Sequence, residues 1–309
     1  MLAQMKSFDD VHLHAGSIIG WQQTYDQLGA GHVQTELKHV TGERFQIFQE
    51  ALNKRVVQRG VAPNGRLCLA MPIYGGESAV FQGKSVGTES VTLLHSGQEF
   101  FVQAAEGIDL LAITVEASRL ECLAAREFTD AELRRLASVS CLELRRNVLQ
   151  EIRLKLERVV AAVLRNEHLP ENLLEDLTLE CMLDLLDHSV EKGVRRSDNH
   201  VVSAYLVRRS QELALDCNDE PVSVLDICER LNVSRRTLQR SFQTITGLRP
   251  VEYLRSVRLN AARRRLRGTD SHEITVARVA CDFGFTHLGH FSGYYKALFG
   301  EHPSETTRS

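Results

Sequence analysis

The chain has 309 residues, of which 43% are hydrophobic and 25% are charged. This composition excludes a disordered or collagen-like chain, and the length predicts about two globular domains. The formal net charge of −3 argues, taken alone, against a nucleic-acid partner. The sequence has no run of about 18 apolar residues and no apolar secretory segment, so we expect a cytoplasmic protein without a membrane partner.

Residues 10–115 have the pattern of short β-strands. Their apolar or alternating runs recur about every ten residues and are separated by Gly, Asn and Pro turn signals. This spacing predicts an antiparallel sandwich or barrel. The clearest predicted strands are Arg66–Ile73, Ser90–Leu94, Glu99–Val102 and Leu110–Val115.

The pattern changes to a helical one over residues 116–190. Apolar residues three and four positions apart predict helices over Ala131–Ala137, Leu142–Arg165 and Leu173–Val190. A heptad recurrence in the last two helices is compatible with a homodimer seam or with packing on the chain's own sheet. The recurring residues are Leu142, Leu149, Leu156 and Val163, followed by Leu173, Leu177, Leu179, Leu183 and Leu186.

The polar segment 191–199 is the predicted linker, and the helical pattern resumes from residue 200 to the end of the chain. We therefore predict an α+β protein with an N-terminal domain over residues 1–190 and an all-α domain over residues 200–309.

The charge is unevenly distributed between these predicted domains. Residues 1–200 contain 21 basic and 28 acidic side chains, whereas residues 201–309 contain 16 basic and 12 acidic ones. Residues 231–268 alone contain ten arginines and one acidic residue, Glu252. Such a run is either a solvated helix face or the electrostatic footprint of a nucleic-acid partner.

Two segments of the C-terminal domain share one pattern with a constant offset of 52 residues. Each has a small residue for a helix crossing, a residue that readily adopts the left-handed conformation of a tight turn, an apolar residue and a capping hydroxyl residue. The matched pairs are Cys228 and Ala280, Asn232 and Gly284, Val233 and Phe285, and Ser234 and Thr286. Two copies in register predict a repeated helix-turn-helix unit, and a helical bundle without a DNA-binding role is the alternative.

Pro250–Arg267, between the two copies, is predicted to be one helix because it begins with a proline at a first-turn position. A helix of this length spans about 27 Å. It could hold two reading helices about one DNA turn, ~34 Å, apart on one face of a duplex. Its apolar positions are Tyr253, Leu254, Val257, Leu259, Ala261, Ala262 and Leu266.

Residues 200–305 resemble the AraC/XylS family of bacterial transcription regulators. The resemblance is carried by VSVLDICERLNVSRRTLQRSFQTITGLRPVEYLRSVRLNAARRRLR and by ITVARVACDFGFTHLGHFSGYYKALFGEHPSE. It implies two helix-turn-helix units, here 223–246 and 275–299, joined by the helix 250–267 and bound in adjacent major grooves near promoters. It also implies an N-terminal cupin-like domain, a β-barrel or sandwich with flanking helices that binds a small effector or mediates dimerisation.

In the first reading helix, the spacing of Leu238, Phe242 and Ile245 turns them toward the core. Arginine suits guanine and glutamine suits adenine at base edges, and the resemblance places Arg236 and Arg240 at the main base-contacting positions. A phosphate contact is the alternative for each arginine. The predicted DNA-contacting residues of this unit are Ser234, Arg235, Arg236, Thr237, Gln239, Arg240 and Gln243.

The second unit departs from the family pattern, because Leu288 and Gly289 stand where polar readers are usual and Gly293 stands where arginine is frequent. We therefore expect the first unit to supply most sequence specificity and the second to anchor the protein. Its predicted DNA contacts are Thr286, His287, Leu288, His290, Ser292 and Lys296, whereas Phe291, Tyr294 and Phe299 are predicted to pack in the core.

An effector pocket is the preferred function of the N-terminal domain, although ordinary core or surface is the alternative for every candidate residue. The candidate apolar walls are Trp21, Tyr25, Phe45, Phe48, Tyr74 and Phe81, and the candidate polar anchors are Arg55, Arg59 and Glu77.

An enzyme is not expected, and neither is a metal site or a cofactor. A metal-dependent cupin needs clustered His and Glu ligands, but no acid follows the pair His12 and His14 within Ala15–Gly20, and His95 stands alone. The seven cysteines form no CxxC pair, which is typical of reduced thiols.

The sequence thus predicts a small-molecule-responsive transcription activator. Its expected partners are double-stranded promoter DNA, RNA polymerase, the effector and a second copy of the chain. A regulator controlled by a protein partner is one alternative, and a cupin-type metalloenzyme with a DNA-binding appendage is another.

Overall fold

The structure is a computed structural model, and part of the sequence lies outside the residues that it describes. Glu77 and residues 191–198 of the predicted linker are among the residues not described, as is the side chain of Tyr74. The described residues are 1–74, 79–165, 167–190, 199–216, 222–270 and 272–308.

The N-terminal domain contains two antiparallel sheets, as the strand spacing predicts. The first sheet has, in spatial order, β1 (Leu2–Phe8), β3 (Thr35–Thr41), β4 (Phe45–Leu52), β11 (Ile108–Glu116), β6 (Arg66–Tyr74), β9 (Ser90–Leu94) and β12 (Cys141–Glu143). The second sheet has β2 (Gln22–Gln27), β5 (Val56–Val61), β10 (Glu99–Ala104), β7 (Ala79–Phe81) and β8 (Lys84–Val86).

Helices flank the sheets and form the C-terminal domain. Those of the N-terminal domain are α1 (Val11–Gly16), α2 (Ala117–Glu127), α3 (Asp130–Ala137), α4 (Arg146–Leu164) and α5 (Glu171–Val190). Those that follow are α6 (Asn199–Leu215), α7 (Val224–Arg230), α8 (Arg235–Thr246), α9 (Pro250–Arg267), α10 (Val276–Asp282) and α11 (Leu288–Phe299).

One helix prediction and one strand prediction need correction. The predicted helix Leu142–Arg165 begins only at Arg146, because Cys141–Glu143 pairs with β9 as an edge strand. Helix α1 lies where strands were expected. It has only six residues, too few for a helical period to show, and it begins because the Asp10 carboxylate accepts a hydrogen bond from His12 N.

The heptad residues of α4 lie in the chain's own core. Leu149, Leu156 and Val163 are buried between the first sheet and the helices α2 to α5, as is Leu142 of β12. Their side chains are therefore not free to form a dimer seam. Leu173 of α5, by contrast, is half exposed.

Strand alternation sets the order of the layers. Phe100 and Val56 point between the two sheets, whereas their neighbours Phe101 and Val57 pack with side chains of α6, α8 and α9. The protein therefore has four layers. In spatial order they are the helices α2 to α5, the seven-stranded sheet, the five-stranded sheet and the C-terminal helices. The C-terminal domain lies directly against the outer face of the smaller sheet.

His39 of β3 gives the folded state a predicted pH dependence. Burial lowers the pKa of His39 to about 4, so the folded protein holds this ring neutral where an unfolded chain would protonate it. Lowering the pH from 8 to 5 therefore lowers the free energy of unfolding by about 2 kcal/mol, because the unfolded chain takes up a proton that the folded chain does not. Urea titrations at pH 8 and pH 5 should show that His39→Gln loses less unfolding free energy on acidification than the wild type does. An unchanged loss in His39→Gln would contradict this, and the exposed control His168→Gln should match the wild type.

Candidate nucleic-acid interface

Local capping positions the two helices of the first helix-turn-helix unit. The Ser223 hydroxyl accepts a hydrogen bond from Asp226 N at 3.2 Å, and the Asp226 carboxylate accepts one from Ser223 N at 2.8 Å. At the start of α8, the Ser234 hydroxyl accepts a hydrogen bond from Thr237 N at 3.1 Å. The predicted N-cap role of Ser234 is confirmed.

The turn between the helices has the same geometry in both units. Asn232 has φ of 50° and Gly284 has φ of 78°, both in the left-handed region. After each of them, the next backbone N–H donates to a carbonyl five residues back, Cys228 at 3.0 Å and Ala280 at 2.9 Å. The 52-residue sequence repeat is therefore a structural repeat.

These turn residues make a testable prediction about stability. Gly284→Ala should lower the free energy of unfolding by about 1–2 kcal/mol, because a Cβ atom disfavours the left-handed conformation. Asn232→Gly should change it little, since glycine adopts this conformation freely. Gly289→Ala is the matched control. Gly289 lies inside α11 with open space around its Cα, so alanine should stabilise the protein there by up to about 1 kcal/mol. Equal denaturant midpoints for the two alanine variants would refute the prediction.

Helix α8 buries one face and exposes a polar one. Leu238, Phe242 and Ile245 are at most 1% exposed, and the Phe242 ring meets the Tyr253 ring edge-on at 5.4 Å between centroids. The opposite face is open to solvent. It carries all seven residues predicted to contact DNA, Ser234, Arg235, Arg236, Thr237, Gln239, Arg240 and Gln243.

A groove beside α8 adds two arginines that the sequence analysis did not single out. Arg249 and Arg255 line it together with Arg235 and Gln239. Arg249 is the N-cap of α9, and its backbone N–H donates to Glu252 Oε2 at 3.1 Å. The signal that could have found Arg249 is its place before Pro250, at the start of a helix.

Helix α11 presents a less polar face, and the predicted cap Thr286 needs correction. The N-cap is His287, which has an extended backbone and makes no side-chain capping bond. Thr286, His287, Leu288 and His290 are exposed.

Two other predicted DNA contacts of this unit have a partner within the protein. Ser292 Oγ lies 3.2 Å from His302 Nδ1, and Lys296 Nζ lies 3.1 Å from His302 Nε2. His302 therefore holds both side chains on the same side of α11.

Tyr294 is another correction, because it is not a core residue. Phe291 and Phe299 are buried as predicted, but Tyr294 is 40% exposed. The Arg255 guanidinium lies 4.2 Å from the centroid of its ring. This cation–π contact connects α9 to α11 on the outside of the domain.

Three arginines near the end of α9, Arg263, Arg264 and Arg267, face the N-terminal domain, whereas Arg265 is exposed. Arg263 Nε donates to Asp10 Oδ2 at 3.0 Å, and Arg264 Nη1 donates to Asp26 Oδ1 at 2.5 Å. Arg267 Nη1 also donates to Asp10, at 3.2 Å. The basic segment found in the sequence is thus divided between an exposed part around α8 and a part that pairs with acidic residues of the other domain.

Further hydrogen bonds close this interdomain contact. Asn260 Oδ1 accepts from Gln27 N and Asn260 Nδ2 donates to Gln27 O, both at 2.9 Å. Gln211 Nε2 donates to Asp26 Oδ2 at 2.9 Å. Burial raises the pKa of Asp10, but the hydrogen bond and charge of Arg263 outweigh it and hold this pKa below its usual value.

A small cavity of about 70 Å³ lies between the two sheets. Four of the predicted wall residues line it, Trp21, Tyr25, Phe48 and Phe81. Glu50 and Gln58 also line it. The sequence does not identify them, because a buried polar residue of a strand has the same sequence pattern as a polar residue on the solvent face of a strand.

Three predicted effector residues lie elsewhere. Phe45 points to the opposite side of the first sheet and packs with the helices. Arg55 donates to the Thr246 carbonyl at the end of α8, and Arg59 lies 3.6 Å from Asp26. Both arginines therefore belong to the interdomain contact.

Among the described residues, no group of three or more His, Cys, Asp or Glu side chains is arranged to hold a metal ion. None of the described helices combines the length and apolar character needed to cross a membrane.

The fold and this surface define a two-domain α+β protein whose C-terminal domain is a double helix-turn-helix. A helix-turn-helix domain model matches residues 227–309. Among similar proteins is the "Probable thc operon regulatory protein" of Rhodococcus erythropolis, 37% identical over 90 residues, which are 29% of this chain and 27% of that protein. Another is the "XylDLEGF operon transcriptional activator 2" of Pseudomonas putida, 35% identical over 85 residues, which are 28% of this chain and 54% of that protein.

Among solved structures, one is a transcriptional regulator with an AraC-type DNA-binding domain from Chromobacterium violaceum. It is 31% identical, covers 34% of this chain and 91% of its own length, and has a TM-score of 0.31. The chain thus carries a helix-turn-helix domain at residues 227–309 and is similar over this C-terminal domain to regulators of the AraC type. It spans about a quarter to a half of the length of the curated relatives named above.

Proposed function

We propose that this protein is a sequence-specific, DNA-binding regulator of transcription that responds to a small molecule. The observation that carries the proposal is the pair of equivalent helix-turn-helix units joined by the buried helix α9, the first with an exposed row of arginine and glutamine side chains. Such a row reaches base edges when its helix enters a major groove. Both units then lie on one face of the duplex.

The proposal is tested by duplex binding as a function of salt. Since arginine contacts to phosphate release counterions, affinity for a selected duplex should fall steeply as salt rises. The selected duplex should bind at least about a thousandfold more tightly than random duplex. Equal affinity for both would contradict sequence-specific recognition.

The two units are proposed to contribute unequally to specificity. The first presents Arg236 and Arg240, whereas the second presents Leu288 and holds Lys296 against His302. Base substitutions in the half-site of the first unit should therefore cost about 1–3 kcal/mol each, and those in the second clearly less. Competition binding with single-substitution duplexes measures both sets. Equal costs in the two half-sites would be evidence against this division.

Regulation is proposed to run through two elements, α1 and β2, that connect the lining of the cavity to the interdomain contact. Helix α1 carries His14, whose Nε2 lies 2.9 Å from Glu50 Oε1, and its N-cap Asp10 pairs with arginines of α9. Strand β2 carries Tyr25 in the cavity wall and Asp26 at the contact with α9. A ligand that moves either element would bias the population of the docked arrangement.

A positive effect on transcription is proposed because a similar protein is named as a transcriptional activator. Contact with RNA polymerase, action on promoter DNA as a pair of chains, and a domain boundary within residues 191–199 are proposed from the sequence alone. The enclosed cavity favours a small molecule over a protein partner as the controlling signal.

A further inference from the structure

The cavity between the sheets has an acidic wall. Glu50 is the one charged side chain among its described lining residues, and it is only 4% exposed. The other lining side chains with polar atoms are neutral and belong to Trp21, Gln23, Tyr25, Gln58 and Thr92. A carboxylate in such a low-dielectric site repels an anionic ligand and attracts a cationic one.

The hydrogen bonds of Glu50 leave one of its oxygens poorly satisfied. Oε1 accepts from Tyr25 OH at 2.7 Å and lies 2.9 Å from His14 Nε2. The contact of Oε2 within the described structure is Gln58 Nε2, at the long distance of 3.4 Å. A second strong donor at Oε2 would complete the hydrogen bonding of this buried carboxylate.

Aromatic rings form part of the apolar wall, around Trp21. The Trp21 ring stands almost perpendicular to Phe48 and to Phe100, with centroid distances of 5.8 and 5.7 Å. Aromatic faces around an acidic group are suited to organic ammonium ions, which interact with the ring quadrupole. The buried Trp21 Nε1 has no hydrogen-bond partner among the described residues and could donate to a polar atom of a ligand.

We infer that the cavity binds a small organic cation whose ammonium group donates to Glu50 Oε2 and whose apolar part lies against Trp21, Phe48 and Phe100. This inference rests on the effector role proposed above and names the chemical class of the effector. The volume of about 70 Å³ limits the ligand to a few non-hydrogen atoms. Anionic ligands such as small carboxylates are excluded by the same wall.

An isosteric series of three probes tests the charge preference on the unmodified full-length chain. n-Propylammonium, 1-propanol and propionate are nearly equal in size and differ in charge. Titration calorimetry and thermal shift at pH 7, with ionic strength matched by NaCl, should show binding of n-propylammonium at least about tenfold tighter than 1-propanol and no binding of propionate. Equal or tighter binding of either other probe, or binding of none of them, would overturn the inference.

Glu50→Gln tests the named carboxylate. This variant keeps the shape of the side chain and should weaken n-propylammonium binding at least about tenfold, removing its advantage over 1-propanol. The exposed Glu89→Gln is the matched control and should bind like the wild type. If Glu50→Gln does not fold, the three-probe series on the wild type still decides.

Duplex binding by the same preparations separates this inference from the proposed function. A chain that binds its selected duplex but not n-propylammonium refutes only the ligand class. A chain that binds n-propylammonium but discriminates no duplex refutes the proposed function and leaves the cation site standing.

Discussion

Asp26→Ala is expected to lower the free energy of unfolding by about 3 kcal/mol and to loosen the contact between the domains. Asp26 is fully buried and accepts hydrogen bonds from Arg264 Nη1 and Gln211 Nε2. Its removal leaves cationic groups at the buried contact without their counter-charge. The loss is therefore larger than that of a typical surface pair.

The matched control for Asp26→Ala is an ion pair at the surface. Lys54 Nζ lies 2.9 Å from Glu106 Oε1, and Glu106 is 59% exposed. Glu106→Ala should cost less than about 1 kcal/mol, because solvent screens this pair. Denaturant titration of the wild type and both variants measures the difference. Equal losses in the two variants would show that Asp26 does not fasten the domains together.

Loosening the contact should also change DNA binding. Undocking exposes Arg264 and Arg267, and each additional cation strengthens contact with phosphate irrespective of sequence. We expect Asp26→Ala to bind random duplex more tightly than the wild type, with a steeper dependence on salt. Glu106→Ala should leave the affinity for random duplex unchanged, since Glu106 is exposed and forms its ion pair with Lys54 within the N-terminal domain.

The C-terminal domain contains features that the sequence predicts and contacts that it does not predict. The left-handed turns at Asn232 and Gly284 and the helix Pro250–Arg267 were predictable, since local sequence decides caps, tight turns and helical periodicity. The hydrogen-bond partners of Arg263 and Arg264 were not predictable. Their partners lie more than two hundred residues away in the chain, so only the tertiary fold brings them together.

The cavity shows a similar limit. Aromatic residues of the strand region are candidates for a pocket wall, but the face on which each lies depends on strand register. Phe48 points between the sheets and Phe45 points toward the helices, three residues away on the same strand. Glu50 gave no signal, because an acid that alternates with apolar residues normally marks the solvent side of a strand.

Arg236→Ala and Arg240→Ala are each expected to lower discrimination at one base pair of the first half-site by about 1–3 kcal/mol. Both side chains project from the exposed face of α8, whose other face is fixed by Leu238 and Phe242 in the core. A bidentate arginine distinguishes guanine from the other bases, whereas a phosphate contact does not. Each variant should therefore accept more bases at its own position and not merely bind more weakly.

Selection from a randomised duplex library, followed by competition binding, measures this change position by position. Arg126→Ala, at the exposed end of α2 in the N-terminal domain, is the control for loss of one positive charge and should leave the base preference intact. A uniform loss of affinity in Arg236→Ala and Arg240→Ala, with unchanged base preference in both, would assign these arginines to phosphates. Base reading would then have to come from Arg235, Gln239 and Gln243, the remaining long polar side chains on the exposed face of α8.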